Sequence, residues 1–103
     1  MRRLPQATVV DHIIQTDGSG DPEWVAHLVR IVREHDDWVH VQMDPTDPRI
    51  DFAHHPYDVA EYYIGDTTPV VAADGLIIDG SHRASAAWHT GTPLNVYIPA
   101  REL

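Results

Sequence analysis

A chain of 103 residues, 43% of them hydrophobic, is long enough for one self-supporting domain and too apolar for wholesale disorder. Its formal net charge of -9 repels a phosphodiester backbone, which argues against non-specific nucleic-acid binding. It has no cysteine, which excludes disulfides, thiolate metal sites and cysteine nucleophiles, and no lysine, which excludes P-loop and Schiff-base lysine chemistry.

The start, Met1-Arg2-Arg3-Leu4-Pro5, is basic but no continuous apolar run follows it. Neither a secretory leader nor a bilayer span of about 20 apolar residues is expected, and the expected compartment is the cytoplasm. Residues 8–15, rich in Val and Ile, are predicted as a first strand, with Thr16-Asp17-Gly18-Ser19-Gly20 as a loop. Asp21-Pro22 is a helix start, a carboxylate cap followed by proline in the first turn. Trp24, Val25, Leu28, Val29, Ile31 and Val32 then recur at helical spacing to about His35 and are read as core. Residues 38–43 alternate, with Val39, Val41 and Met43 opposite Trp38, His40 and Gln42, the pattern of a half-buried strand.

Residues 44–58 carry three prolines and little periodicity, and 58–64 are predicted as a short helix ending at Gly65. Val70–Ala73 and Leu76–Asp79 flank Asp74-Gly75, a strong hairpin signal. Ser81 to Thr90 is predicted as a helix closed by Gly91, and residues 94–98 as a last strand. The expected fold is α/β (α+β): a single domain with a small mixed sheet and helices packed on it.

The chemistry concentrates at Asp79-Gly80-Ser81-His82-Arg83, where a strand runs through glycine into a helix. The free N–H groups and positive dipole end of such a helix attract anions. Ser81 and His82 add donors, and Arg83 adds a guanidinium able to pair with phosphate. For a lone Gly-x-x-Arg the competing reading is a tight turn with a surface charge.

The longer pattern resembles the ParB/sulfiredoxin superfamily. Gly80, Arg83 and Ala86 match its Gly-x-x-Arg-x-x-Ala box at a helix start. Gly65-Asp66-Thr67-Thr68-Pro69-Val70-Val71 is similar to its Gly-x-x-x-Pro-Ile-Val stretch, and Asp44-Pro45-Thr46-Asp47-Pro48-Arg49 more loosely to its Asn-Pro-x-Gln-Pro-Arg stretch. The resemblance covers residues 38–99 and leaves 1–37 outside. It implies a nucleotide whose phosphates sit on Gly80, Ser81, His82 and Arg83, with Arg49 and Thr68, bridged by magnesium. Ser81 stands where sulfiredoxins carry a reactive cysteine, so thiolate chemistry is not expected. Partitioning ParB proteins have Arg-Arg in the box, whereas His82-Arg83 is nearer to the Gly-x-His-Arg of the superfamily's free-serine kinases.

Three functions follow as alternatives: a nucleotide-dependent phosphotransferase or hydrolase, a non-enzymatic nucleotide switch or interaction module, and a ParB-like nuclease. In the first, Asp51 and His82 are the catalytic candidates, with Asp47 and Glu61 as further carboxylates for a base or magnesium. In the second, the helix of residues 21–35 is the surface for a protein partner or a second copy. Trp38, Tyr62, Tyr63 and Trp88 are candidates for stacking a base, the tyrosines foremost; Trp88 is expected against the sheet. His54-His55 with Asp51 has the residue types of a metal site, but adjacent histidines diverge and no metal site is expected there.

Overall fold

A computed structural model describes residues 2–51 and 60–103, the side chains of Ala60 and Glu61 excepted. Among these residues the chain forms strand β1 (Arg2–Pro5), helices α1 (Gln6–Thr16) and α2 (Pro22–Arg33), and strand β2 (Asp37–Met43). A 3-10 turn (Ala60–Tyr63) precedes strands β3 (Val70–Ala73) and β4 (Leu76–Asp79), helix α3 (Ser81–Thr90) and strand β5 (Leu94–Pro99). A short 3-10 turn, Ala100–Glu102, follows β5. The domain is α+β, with one mixed sheet in the order β1-β2-β5-β3-β4. All neighbours are antiparallel except β5 and β3, which run parallel.

Both faces of the sheet are covered. On one, Val39, Met43, Val70, Ala72, Val96 and Ile98 pack with Ala84 and Ala87 of α3. On the other, Trp38, Val71 and Ala73 pack with Leu4, Val9 and Ile13, and with Leu28 and Val32 of α2. Strand β3 therefore reads as the unbroken apolar run Val-Val-Ala-Ala, because alternate residues face two different helical layers. Its hairpin with β4 turns at Asp74 (φ 56°) and Gly75 (φ 79°), both left-handed, as a two-residue turn of this twist requires.

Helix α1 overturns the strand expected at residues 8–15. Its β-branched content favours a strand, but Val9 and Ile13 are four apart and one helix face buries both completely. Arg2–Pro5, not foreseen as a strand, pairs with β2 along the sheet edge, where proline is tolerated. Strand β2 keeps the expected alternation, with Val39 and Met43 buried and Gln42 exposed, except at Trp38, which is enclosed on the α1–α2 face and donates from its indole Nε1–H to the His35 carbonyl. That enclosure removes Trp38 from the stacking candidates.

Helix α2 begins as its sequence demands. Asp21 accepts from the N–H groups of Glu23 and Trp24, and Pro22 needs no partner in the first turn. Its stripe of Leu28 and Val32 is buried, whereas Trp24, read as core, is 46% exposed at the open end of the helix. Trp88, expected against the sheet, is likewise 51% exposed on α3.

Residues 2–36 are thus built into the domain rather than appended to it. They supply an edge strand and the whole helical layer on one face. No helix among the described residues is long and apolar enough to cross a membrane.

Candidate functional site

Helix α3 starts at Gly80, whose φ of 89° is left-handed, and among the described residues no side chain caps its first turn. First-turn N–H groups without a side-chain cap can donate to an anion. They border a cleft of about 540 Å3 whose lining includes Gly80, Ser81, His82 and Arg83. The opposite wall comes from the other helical layer: Thr16, Asp17, Gly18, Ser19 and Trp24.

Two tertiary contacts bring these walls together. The Thr16 hydroxyl donates to Asp79 Oδ2 at 2.7 Å, across 63 residues of sequence. His12 Nε2–H donates to the Pro69 carbonyl at 2.7 Å, which fixes the tautomer of that ring because a carbonyl can only accept. Asp17 and Asp79 consequently both face the cleft, and Asp17 is braced by the Ser19 hydroxyl.

Arg83 turns inward. Its side chain is only 10% exposed; one terminal nitrogen lies 3.1 Å from the Pro69 carbonyl, to which it donates, and 3.6 Å from Asp79 Oδ2. Its Nε is buried and has no hydrogen-bond partner among the described residues. The absence of a side chain at Gly80 makes room for this: a Cβ there would sit 2.7 Å from Val70 Cγ1 and 2.8 Å from the guanidinium. Gly80 therefore serves the close fold-back of Arg83 as well as the turn. Arg83 supplies positive charge from beneath the helix terminus, with Asp79 as a fixed partner.

His82 lies over Tyr63, the two rings nearly parallel at 10° with centroids 5.3 Å apart. Tyr63 and Arg83 also line a second cleft of about 340 Å3, together with Asp66, Thr67 and Asn95. Hydrogen bonds from Thr68, side chain then backbone, hold the Asp66 carboxyl below its ordinary range, with a smaller contribution from Arg83. Thr68 is thus committed to Asp66, one residue from the Pro69 carbonyl that anchors Arg83. Tyr62 is almost fully exposed beside Tyr63.

The expected companions of the box divide. Gly80, Ser81, His82 and Arg83 line one cleft, whereas Thr68 is not among its lining residues and hydrogen-bonds Asp66 at the second cleft. Arg49 and Asp51 are placed elsewhere. The Asp51 N–H donates to the Gly75 carbonyl, and Asp51 bridges to Leu76, at the hairpin tip. Strand β4 separates that tip from Gly80 by roughly 16 Å at about 3.3 Å per residue. Arg49 makes a two-pronged pair with Asp47, Nε to Oδ1 at 3.0 Å and Nη2 to Oδ2 at 2.6 Å. That pairing, first through side-chain hydrogen bonds, holds the Asp47 carboxyl down to about 2. His54, His55 and the Glu61 side chain lie outside the described residues.

Trp24, Asp17 and Thr16 escaped the sequence reading. The Gly-Ser loop before Asp21 was visible, but nothing in its spacing announces that it meets a turn more than sixty residues later. Comparison of the chain with protein-family models, curated proteins and solved structures gives no match. The site's meaning therefore rests on its chemistry.

Proposed function

We propose that the cleft at the start of α3 binds a phosphate-bearing ligand, a nucleotide with magnesium, in a ParB-like manner. The observation that carries this reading is the uncapped α3 terminus opening into a cleft that also holds Asp17 and Asp79. An anion satisfies the N–H groups, Arg83 adds charge beneath it, and the carboxylates accept the magnesium that neutralises the remaining phosphate charge. Trp24 and the Tyr63–His82 pair offer flat faces for a base. In this reading Ser81 and His82 donate to phosphate, and His82 is the catalytic candidate within reach. Arg49 and Asp51 have no part in it, since they lie at the far end of β4.

The reaction class is phosphoryl transfer or nucleotide hydrolysis, in which positioning and charge neutralisation supply most of the rate. A non-enzymatic switch is the second reading. It is favoured by the Arg83–Asp79 pair, which leaves the guanidinium already engaged before any ligand arrives.

Thermal unfolding against a panel of nucleotides, with and without magnesium, tests the binding claim. A ligand at 100 times its Kd adds about 2.7 kcal/mol. Trp24→Ala and Asp17→Asn are the informative variants, because both positions lie at the cleft outside the buried core. Stabilisation of the wild type that is weakened in both supports the reading, and phosphate release then separates enzyme from switch. A panel without any stabilising nucleotide refutes it.

A further inference from the structure

At the other end of the molecule a second group of side chains converges. His35 follows α2, Asp74 sits at the β3–β4 hairpin tip, and Glu102 lies in the turn after β5. The His35 side chain is 2% exposed, yet among the described residues neither ring nitrogen has a hydrogen-bond partner. Its Nε2 faces Asp74 Oδ1 at 3.3 Å and Glu102 Oε2 at 3.9 Å, close enough for an ion pair but without hydrogen-bond alignment. Glu102 Oε2 is itself buried and unpartnered. Leaving such buried groups unsatisfied is costly, so their convergence calls for a shared partner.

The geometry points to a divalent transition-metal cation of the zinc class, held by Glu34, His35 and Asp74, with Glu102 Oε2 beside His35. Glu34, His35 and Asp74 each bring one ligand atom within 4.8 Å of the others. Bonds of about 2.0–2.2 Å to nitrogen and oxygen place tetrahedral ligand atoms roughly 3.3–3.6 Å apart. The His35–Asp74 separation of 3.3 Å has that value, while Glu34 lies within 4.8 Å of both and Glu102 Oε2 lies 3.9 Å from His35 Nε2. An imidazole with carboxylates and no thiolate suits zinc, and the negative charge of the carboxylates favours a dication.

The scaffold is held independently of the ion. The His35 carbonyl accepts from Gln6 Nε2 and Trp38 Nε1, both at 2.9 Å, and the Gly75 N–H donates to Glu102 Oε1. A cleft of about 220 Å3, lined in part by Glu34, His35, Asp36 and Arg101, gives solvent a path to the cluster. The ion joins the end of α2 to the hairpin tip, beside the turn after β5, so its expected role is structural.

The test uses the full chain, stripped with a chelator and titrated with Zn2+ by calorimetry near pH 7. Co2+ serves as a spectroscopic probe of tetrahedral coordination. The wild type takes up one tight equivalent and its Tm rises. Asp74→Asn weakens that equivalent by at least about 100-fold, by analogy with the 10–100-fold losses seen even for outer-shell changes. Asparagine keeps the left-handed turn, so this variant folds even where His35→Gln does not. His89→Gln, on the exposed face of α3, leaves the equivalent intact. A wild type that takes up no tight equivalent overturns the proposal, as does one whose affinity is unchanged in Asp74→Asn.

Discussion

Gly80 illustrates how one residue type meets two demands. Its φ of 89° turns β4 into α3, and its missing side chain leaves space for the Arg83 guanidinium and Val70. Gly80→Ala meets both backbone strain and overpacking, each on the order of 1–3 kcal/mol. A loss of about 2–4 kcal/mol in urea denaturation is expected; a loss below about 1 kcal/mol would show that Arg83 is free to leave. Asp47 is the second residue with a directed consequence. Its folded pKa of about 2 lies below the ordinary carboxylate value near 3.9, because Arg49 hydrogen-bonds the ionised form. A depressed pKa stabilises the fold fully above about pH 4, and that contribution disappears as pH falls through about 2. The stability difference between wild type and Asp47→Asn, followed by circular dichroism, should therefore shrink across that window and stay flat above it.

Among the elements, those whose signals are local were legible. The Asp74-Gly75 hairpin, α3 with its closing Gly91, β5 and the Asp21-Pro22 start of α2 all lie where the sequence predicts them. The Asp21 cap is the simplest of these to weigh. It satisfies two first-turn N–H groups from an exposed position, so Asp21→Ala should cost about 1 kcal/mol and leave the core unchanged. A chemical-denaturation midpoint measures this, and a loss above about 2 kcal/mol would imply that the cap also holds the preceding loop against the cleft. The misread element, α1, shows where propensity fails. Val9, Val10, Ile13 and Ile14 suit a strand residue by residue, but packing on the sheet selects the conformation that buries Val9 and Ile13 together.

At the scale of the whole molecule, the sheet requires both helical layers. Trp38, Val71 and Ala73 are covered on one face by residues contributed from Leu4 to Val32. A fragment lacking residues 2–36 would expose that face, so it should show no cooperative thermal transition and should aggregate. A cooperative transition for the fragment would instead mark residues 38–99 as a self-sufficient core. The intact fold also separates two chemistries. The cleft at the start of α3 and the His35 cluster lie toward opposite ends of β4, so a ligand at one makes no contact with the other.

The sequence by itself determined the fold class, the hairpin, most helix and strand positions and the strand–glycine–helix turn, because each is encoded by neighbours within a few residues. Only the tertiary structure decided what surrounds that turn. It brought Thr16, Asp17 and Trp24 to the cleft, sent Arg49 and Asp51 to the far end of the hairpin, and turned Arg83 inward against Asp79. It also joined His35, Asp74 and Glu102 from three separate elements. Spacing along a chain predicts which side chains share a face of one element. Which faces meet depends on burying apolar surface across the whole domain, a sum over distant residues that no local pattern contains.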